Sequence, residues 1–319
     1  MKTTSGLLAC VFAAGTAHAG DLAAAPGQTC RLPGQIGIVA FECAGVSLSV
    51  GAVYGQRETT DGVIATPPTG TPGTLLSGSD FDFDGDIGPD IHARWRAGNG
   101  WSLEGRYFSS EGEAAAEIPS ITTFRTAGIG VTILGGGSIG AAYSSDFQSA
   151  EINVVKELTP GISLLAGVRH FGVDDNLRVN IASPATYTNW AVENDMWGGQ
   201  LGVRFGLESQ SLPLRFDATF KAGLYRNSVG NDFRSTIVGG DSEYASEQSF
   251  GGEINLVATY YVTDRFSIQA GYTGTWLDNV AVASATAQNT TQAPGGTSSQ
   301  IGYDNIRYDT FSLRASYDF

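Results

Sequence analysis

The chain has 319 residues, with 18 basic against 32 acidic side chains and a net charge of -14. That balance excludes a nucleic-acid binder working through a basic footprint. A composition of 42% hydrophobic and 10% aromatic residues excludes a disordered chain.

The chain opens with "MKTTSGLLACVFAAGTAHAG". Lys2 gives a positive start, Leu7 to Ala14 a short apolar core, and Ala17-His18-Ala19 a small-x-small cleavage site. Residues 1–19 therefore read as a secretory signal peptide. Leu7-Leu8-Ala9-Cys10 has the outline of a lipoprotein box, but almost no apolar segment precedes it. Residues 20–45 read as an N-terminal periplasmic segment, where Cys30 and Cys43 in an exported chain suggest a disulfide closing a small loop. No later stretch has the ~18 consecutive apolar residues of a helical membrane span.

Residues 46–319 carry repeated period-2 alternation. It predicts strands at about 46–57, 87–97, 101–110, 139–157, 162–173, 195–207, 214–226, 250–261, 266–277 and 303–319. Most are near the ~9–11 residues that a tilted strand needs to cross a bilayer. In "LRFDATFKAGLY", Leu214, Phe216, Ala218, Phe220, Ala222 and Leu224 share one face, and Arg215, Asp217, Thr219 and Lys221 share the other.

Before the second strand lies "SDFDFDGD". Asp80, Asp82 and Asp84, with Gly85, match the start of an EF-hand calcium loop, but the closing glutamate position is Ile91. A looser cation site at the outer rim, with Asp80, Asp82, Asp84 and Asp86, is one reading; an acidic loop leading into a strand is the preferred one. If alternation runs unbroken, these aspartates share a face with Asp90, His92, Arg94 and Arg96. Glu104 and Arg106 follow on the polar face after the "GNG" turn and can pair with Arg94 and Arg96. Glu151, Arg169, Arg204, Glu253 and Arg314 complete the lumen-facing candidates, together with Arg215, Asp217 and Lys221. Such charges in a narrow barrel must be paired.

The connections alternate between short ("GNG", "LTPG", "LESQSLP", "VTDR") and long, the latter at about 58–86, 111–138, 174–194, 227–249 and 278–302. Short periplasmic turns and long outer loops predict this contrast, and an even strand number puts both ends in the periplasm. The segment around Gly135-Gly136-Gly137 allows a further hairpin, so twelve strands is the alternative to ten. Trp95, Trp101, Tyr317 and Phe319 fall at one interfacial level, and Tyr54, Trp197 and Trp276 at the other.

The chain stops on "YDTFSLRASYDF", with Phe311, Leu313, Ala315, Tyr317 and Phe319 alternating outward. This resembles the closing strand of Gram-negative outer-membrane β-barrel proteins. "SAEINVVKELTPGISLLAGVRHF" and "VENDMWGGQLGVRF" look like paired strands of poorly characterised, porin-like barrels. The resemblance implies an all-β, transmembrane, antiparallel up-and-down β-barrel in the cell outer membrane. It implies a terminal signal at Tyr317 and Phe319 read by the barrel assembly machinery. It brings no catalytic residues and no cofactor.

Three functions follow as expectations. The first is a porin-like small or gated channel for small solutes or ions. The second is a non-conducting structural or surface-interaction barrel in contact with outer-membrane lipid and lipopolysaccharide. The third, a barrel hydrolase, is the weakest. Outside the leader the only histidines are His92 and His170, and neither lies in a stretch resembling the enzyme barrels.

Overall fold

The computed structural model describes residues 44–319 except 59, 61, 68–72, 127–131, 182, 210 and 294–295, together with Cys30–Arg31 and Phe41–Glu42. For 119–137, 183–184 and 293 the description stops at the backbone. The signal peptide and the Cys30–Cys43 disulfide lie outside the described residues.

Ten long strands are consecutive in sequence: β1 (Gly45–Arg57), β2 (Ile87–Gly98), β3 (Trp101–Thr126), β4 (Thr132–Thr159), β5 (Ile162–Ile181), β6 (Ser183–Glu208), β7 (Leu214–Ser235), β8 (Gly239–Tyr261), β9 (Phe266–Ala281) and β10 (Tyr303–Asp318). Each pairs antiparallel with its sequence neighbour, and β10 pairs with β1, so the sheet closes on itself. Within the belt this closure leaves no open sheet edge, as backbone in lipid requires. Among the described residues no helix is long and apolar enough to cross a membrane. The turn between β2 and β3 is tight because Asn99 and Gly100 both take positive φ, at 53° and 73°. The described part of the extra-hairpin region belongs to β3 and β4, so among the described residues ten long strands, rather than twelve, build the wall.

Exposed large apolar side chains form a belt at the short-turn end. In β6 it runs from Leu207 through Phe205 and Leu201 to Trp197. At ~3.3 Å per residue and a tilt near 40°, that segment spans about 25 Å, the height of a lipid-facing band. Trp95, Trp101, Tyr317 and Phe319 are exposed at its periplasmic border; Tyr54, Trp197 and Trp276 are exposed at its outer border.

Three of the predicted long loops prove to be strand. Residues 111–126, 132–138, 174–181, 183–194, 227–235 and 239–249 continue β3 to β8 far above the belt. In β5 the inward parity never changes, but its chemistry does. Below His170 the strand points Ile162, Leu164 and Val168 outward and Ser163 and Arg169 inward. Above it, Phe171, Val173, Leu177, Val179 and Ile181 point inward, and Asp174, Asn176, Arg178 and Asn180 outward. The reason is the solvent on the outer wall, lipid below and water above. β7 inverts in the same way after Leu224, with Arg226, Ser228 and Asp232 outward and Val229 and Phe233 inward.

The upper barrel is therefore packed like a water-soluble protein. Its core joins Ile139, Tyr143, Leu177, Trp190 and Phe233 to residues of two long connections that fold into the mouth. One connection contributes Ile64, Leu76, Phe81 and Phe83; the other contributes the short helix α1 (Ala283–Asn289), which buries Ala283 and Ala287.

Candidate functional site

The lumen is stacked in three levels, and the lowest is ionic. Every lumen-facing candidate named from the sequence lies on the inward side of the wall, in groups set by cross-strand register. Arg106 of β3 grips Asp90 of β2 with two hydrogen bonds, Nε–Oδ1 at 3.1 Å and Nη2–Oδ2 at 3.0 Å. Arg314 of β10 approaches the same carboxylate at 3.5 Å. Arg204 holds Glu104 through Nη1 and Nη2 at 2.8 and 2.7 Å. Arg94 meets that carboxylate at 3.1 Å, and His92 lies 3.9 Å from it. Across the barrel, Lys221 bridges Glu151 at 2.6 Å and Glu253 at 2.9 Å. Arg169 pairs with Glu253 at 2.6 Å. Nearer the periplasm, Arg215 pairs with Asp217 at 2.8 Å and Arg96 with Asp318 at 2.6 Å. The expected Arg94–Glu104 pairing thus forms, whereas Arg106 and Arg96 take carboxylates from elsewhere. Sharing each ion between partners offsets desolvation that no lone pair could offset.

The second level is aromatic and coincides with the outer border of the belt. Phe147 stacks on Tyr308 with ring centroids 4.1 Å apart and meets Phe108 and Phe171 at 5.7 and 5.8 Å. Phe171 packs edge-on against Tyr225 at 5.1 Å. Guanidinium groups of the ionic level lie beneath these rings, Arg169 at 4.1 Å from Phe171 and Arg106 at 4.6 Å from Phe108. Exposure falls to 1% at Phe108, Phe147 and Phe171, 0% at Met196, 3% at Tyr308 and 4% at Tyr225.

The third level is the outer core, fastened by a buried polar cluster that sequence reasoning missed. Arg57 pairs with Asp175 at 2.5 Å and donates to Ser145 at 2.9 Å. Tyr143 donates to Asp175 at 2.8 Å, and burial together with that carboxylate pushes its phenol above the ordinary range. Both groups also receive backbone N–H groups of the mouth connection, Ala283 on Asp175 and Ser284 on Tyr143. Asn194 binds the N–H and the carbonyl of Ala281 at 2.9 and 2.8 Å, and Trp190 donates to Thr290 at 2.8 Å. Extending the parity of β5 past Phe171 places Asp175 inside and would have found it.

Asp80, Asp82, Asp84 and Asp86 do not join Asp90 inside. All four are exposed, while Phe81 and Phe83 enter the core. The register explains this: Gly85 pairs with Gly112, yet Asp90 pairs with Phe108, an offset of one residue that exchanges the faces. Glycine is required at the crossing, since a Cβ on Gly85 would run into the Gly55 carbonyl. Asp80 accepts from the Ser77 N–H at 2.8 Å and Asp86 from the Ile87 N–H at 2.6 Å. Among the described residues no three His, Cys, Asp or Glu side chains converge as a metal site. His170 lies on the outer wall, 2.7 Å from Asp195 and beside the Trp197 ring. Close by, burial and then Glu193 push Asp174 up to about 6, and burial and then Glu111 push Asp146 upward.

No family model matches the chain, and no curated protein matches its sequence. Among solved structures it resembles the outer membrane protease OmpT from Escherichia coli, at a TM-score of 0.51 and 10% identity over 86% of this chain and 97% of that one. The translocator domain of autotransporter NalP from Neisseria meningitidis aligns at a TM-score of 0.47 and 10% identity, covering 87% and 90% of the two chains. The Pseudomonas putida toluene transporter TodX aligns at 0.32 and 10% identity, again covering 87% and 90%. At such identity a likeness speaks for fold alone. With its lipid-facing belt and closed antiparallel wall, the chain has the fold of a transmembrane, outer-membrane-type β-barrel, and no single family of such barrels is assigned to it.

Proposed function

We propose that this protein is a non-conducting barrel whose tall outer half serves as a surface-exposed structural or interaction platform. The observation that carries this reading is the aromatic level at Phe108, Phe147, Phe171, Tyr225 and Tyr308, whose side chains are almost wholly excluded from solvent. A continuous core lies above it, and the mouth connection is tied down at Ala281, Ala283 and Thr290. A porin-like channel would have to displace both levels, breaking dispersion contacts and stranding Arg57 and Asp175 in an apolar core. Lipopolysaccharide and outer-leaflet lipid are the immediate surroundings of the outer wall. The protein works without a catalytic centre or cofactor in this reading: His92 is set against Glu104, and His170 against Asp195.

The test is solute flux into liposomes that hold the refolded mature protein, with heat-modifiable gel mobility as the folding control. The reading expects swelling in arabinose no faster than in protein-free vesicles. Rapid swelling by folded protein would restore the channel.

A further inference from the structure

Above the belt the wall is open along one line. β8 pairs with β7 along nearly its whole length, from Gly239 to Tyr260, but with β9 only from Gly251 to Tyr261. β9 leaves the wall at Asn279, which takes a positive φ of 52° beside a register shift, and its end turns into the lumen, where Asn194 holds Ala281. Two side chains cover the first step of the edge this leaves. The Asp278 carboxylate accepts the Phe250 N–H, and the Asn279 amide donates to the Gln248 carbonyl at 3.0 Å. Both contacts put the backbone groups of even-numbered residues on the open side. Ser242, Tyr244 and Ser246 turn their N–H and C=O the same way, and among the described residues no backbone group pairs with them there. All three residues are exposed, Tyr244 at 83%. Tyr244 lies six residues above Phe250 of the belt, about 15 Å by strand rise and tilt, and so clear of the lipid.

An open edge of this kind is a template for a further strand. The chemistry beside it selects which strand. Residues 235–250 and 278–306, the two lips of the opening, hold five carboxylates, Asp241, Glu243, Glu247, Asp278 and Asp304, and no lysine or arginine. Asp241 and Glu243 accept the Ser299 and Ile301 N–H groups at 2.9 and 2.8 Å, which fixes them without neutralising them. Glu247 shares their inward parity yet is exposed, because the wall beside it is missing. On the outer face, one strand further, Arg226 donates to Ser246 Oγ at 3.0 Å. A strand laid on this edge therefore meets negative charge with its inward side chains. A second copy of the chain fits poorly. Pairing antiparallel about Ala245 sets Glu243 of each copy against Glu247 of the other, like charges directly opposite.

We propose that the β8 edge at residues 242–246 takes up an extended, cationic segment of another polypeptide, on the outer side of the membrane, as an added antiparallel strand. Basic side chains four residues apart on that segment stand opposite Glu243 and Glu247, with a small residue between them opposite Ala245. The backbone of Ser242, Tyr244 and Ser246 supplies the ladder, and the carboxylates select the partner. The proposal rests on the reading of the outer half as an interaction platform.

The probe is the fluorescein-labelled peptide STKTATKTS, added to the refolded full mature protein in detergent and followed by fluorescence anisotropy. The expected result is saturable binding that weakens as salt rises, with hydrogen exchange slowed at the Tyr244 and Ser246 amides. The same peptide with glutamate for lysine should bind at least about ten-fold more weakly. N-methylation of the two threonines between the lysines, whose N–H groups face β8, should abolish binding. N-methylation of the lysines' own backbone nitrogens, which face away, should be tolerated. Glu247→Gln should weaken binding about two- to five-fold, the worth of one cross-strand pair. Ser246→Pro removes an N–H from the open side and none from the β7 ladder, and should abolish binding. If Ser246→Pro fails to fold, the N-methylated peptides make the same test on wild-type protein. Equal binding of the lysine and glutamate peptides, indifference to threonine N-methylation, or no binding by folded protein overturns the proposal. So does a dimer that Ser246→Pro dissociates, which gives the edge to a second copy. Arabinose swelling of vesicles holding the same protein reads the platform separately: sealed vesicles without peptide binding refute this proposal alone.

Discussion

Arg57 at the end of β1 and Asp175 in β5 form an ion pair of 2.5 Å across the barrel, with side chains 1% and 0% exposed. Through Tyr143 and the Ala283 N–H, the pair also anchors the mouth connection. Removing one partner strands the other's charge in the outer core. Asp175→Leu should destabilise the protein by about 3–5 kcal/mol, whereas Arg57→Met combined with Asp175→Leu should recover most of that loss. Urea unfolding in detergent, followed by tryptophan fluorescence, reads both variants. Equal losses in the single and double variants would show that the stranded Arg57 charge is not the source of the loss.

The belt places Leu201, 69% exposed, at mid-membrane, and Ser228 above the outer border on the same side of the wall. Leu201→Arg should destabilise the membrane-inserted protein by about 2–4 kcal/mol. Ser228→Arg faces water and should stay within about 0.5 kcal/mol of wild type. Reversible unfolding from lipid vesicles makes the comparison. Similar penalties at both sites would move the membrane boundary upward.

Asp174 faces Asp146 on one neighbouring strand and Glu193 on the other, with Asp175 and Asp195 also near. Burial is the first cause of its raised titration, to about 6 from 3.8, and the surrounding carboxylates add to it. The folded state therefore binds this proton more tightly than the unfolded chain does. Stability should rise as pH falls from 7 through about 6 and level off near 4. Asp174→Asn should raise stability at pH 7 and make no difference at pH 4. Because the carboxylate is only partly buried and is screened by solvent, the gain should be under about 1 kcal/mol. A thermal melt series across this pH range checks it, and a gain in Asp174→Asn independent of pH would refute the cause.

Phe319 closes the alternating pattern of β10, and its backbone N–H bonds the Val46 carbonyl at 2.9 Å. Its ring, 72% exposed, packs against Tyr317 and makes little core contact. Deleting Phe319 should reduce the assembled fraction in cells several-fold while leaving detergent refolding nearly intact. Heat-modifiable mobility of outer-membrane fractions measures it. Equal loss in both settings would assign the residue to stability instead of assembly.

The lower barrel was legible in the sequence because lipid and lumen impose opposite chemistry on alternate residues. "LRFDATFKAGLY" sorts cleanly, and all ten strands lie where the alternation puts them. The upper barrel was not, because its outer wall faces water and the apolar residues of the alternation turn inward. In "DNLRVNI" the alternation persists, but Leu177, Val179 and Ile181 are the inward residues, so the segment looked like a polar loop. The aspartates before β2 failed for a different reason. A one-residue offset between Gly85 and Asp90 turns every later side chain to the opposite face, and its one mark in the sequence is the bulge-prone Gly88-Pro89. Partners within the ionic level were legible only where strands adjoin. Arg94 and Glu104 lie opposite one another in a hairpin, whereas Arg204 reaches Glu104 across the lumen.

The most direct measurement of the sealed lumen is single-channel recording of the refolded mature protein in a planar bilayer, with heat-modifiable mobility confirming the fold. The account predicts a silent membrane at potentials where a ten-stranded open pore would give resolvable steps. Reproducible steps from folded protein, with a reversal potential that follows a salt gradient, would contradict it.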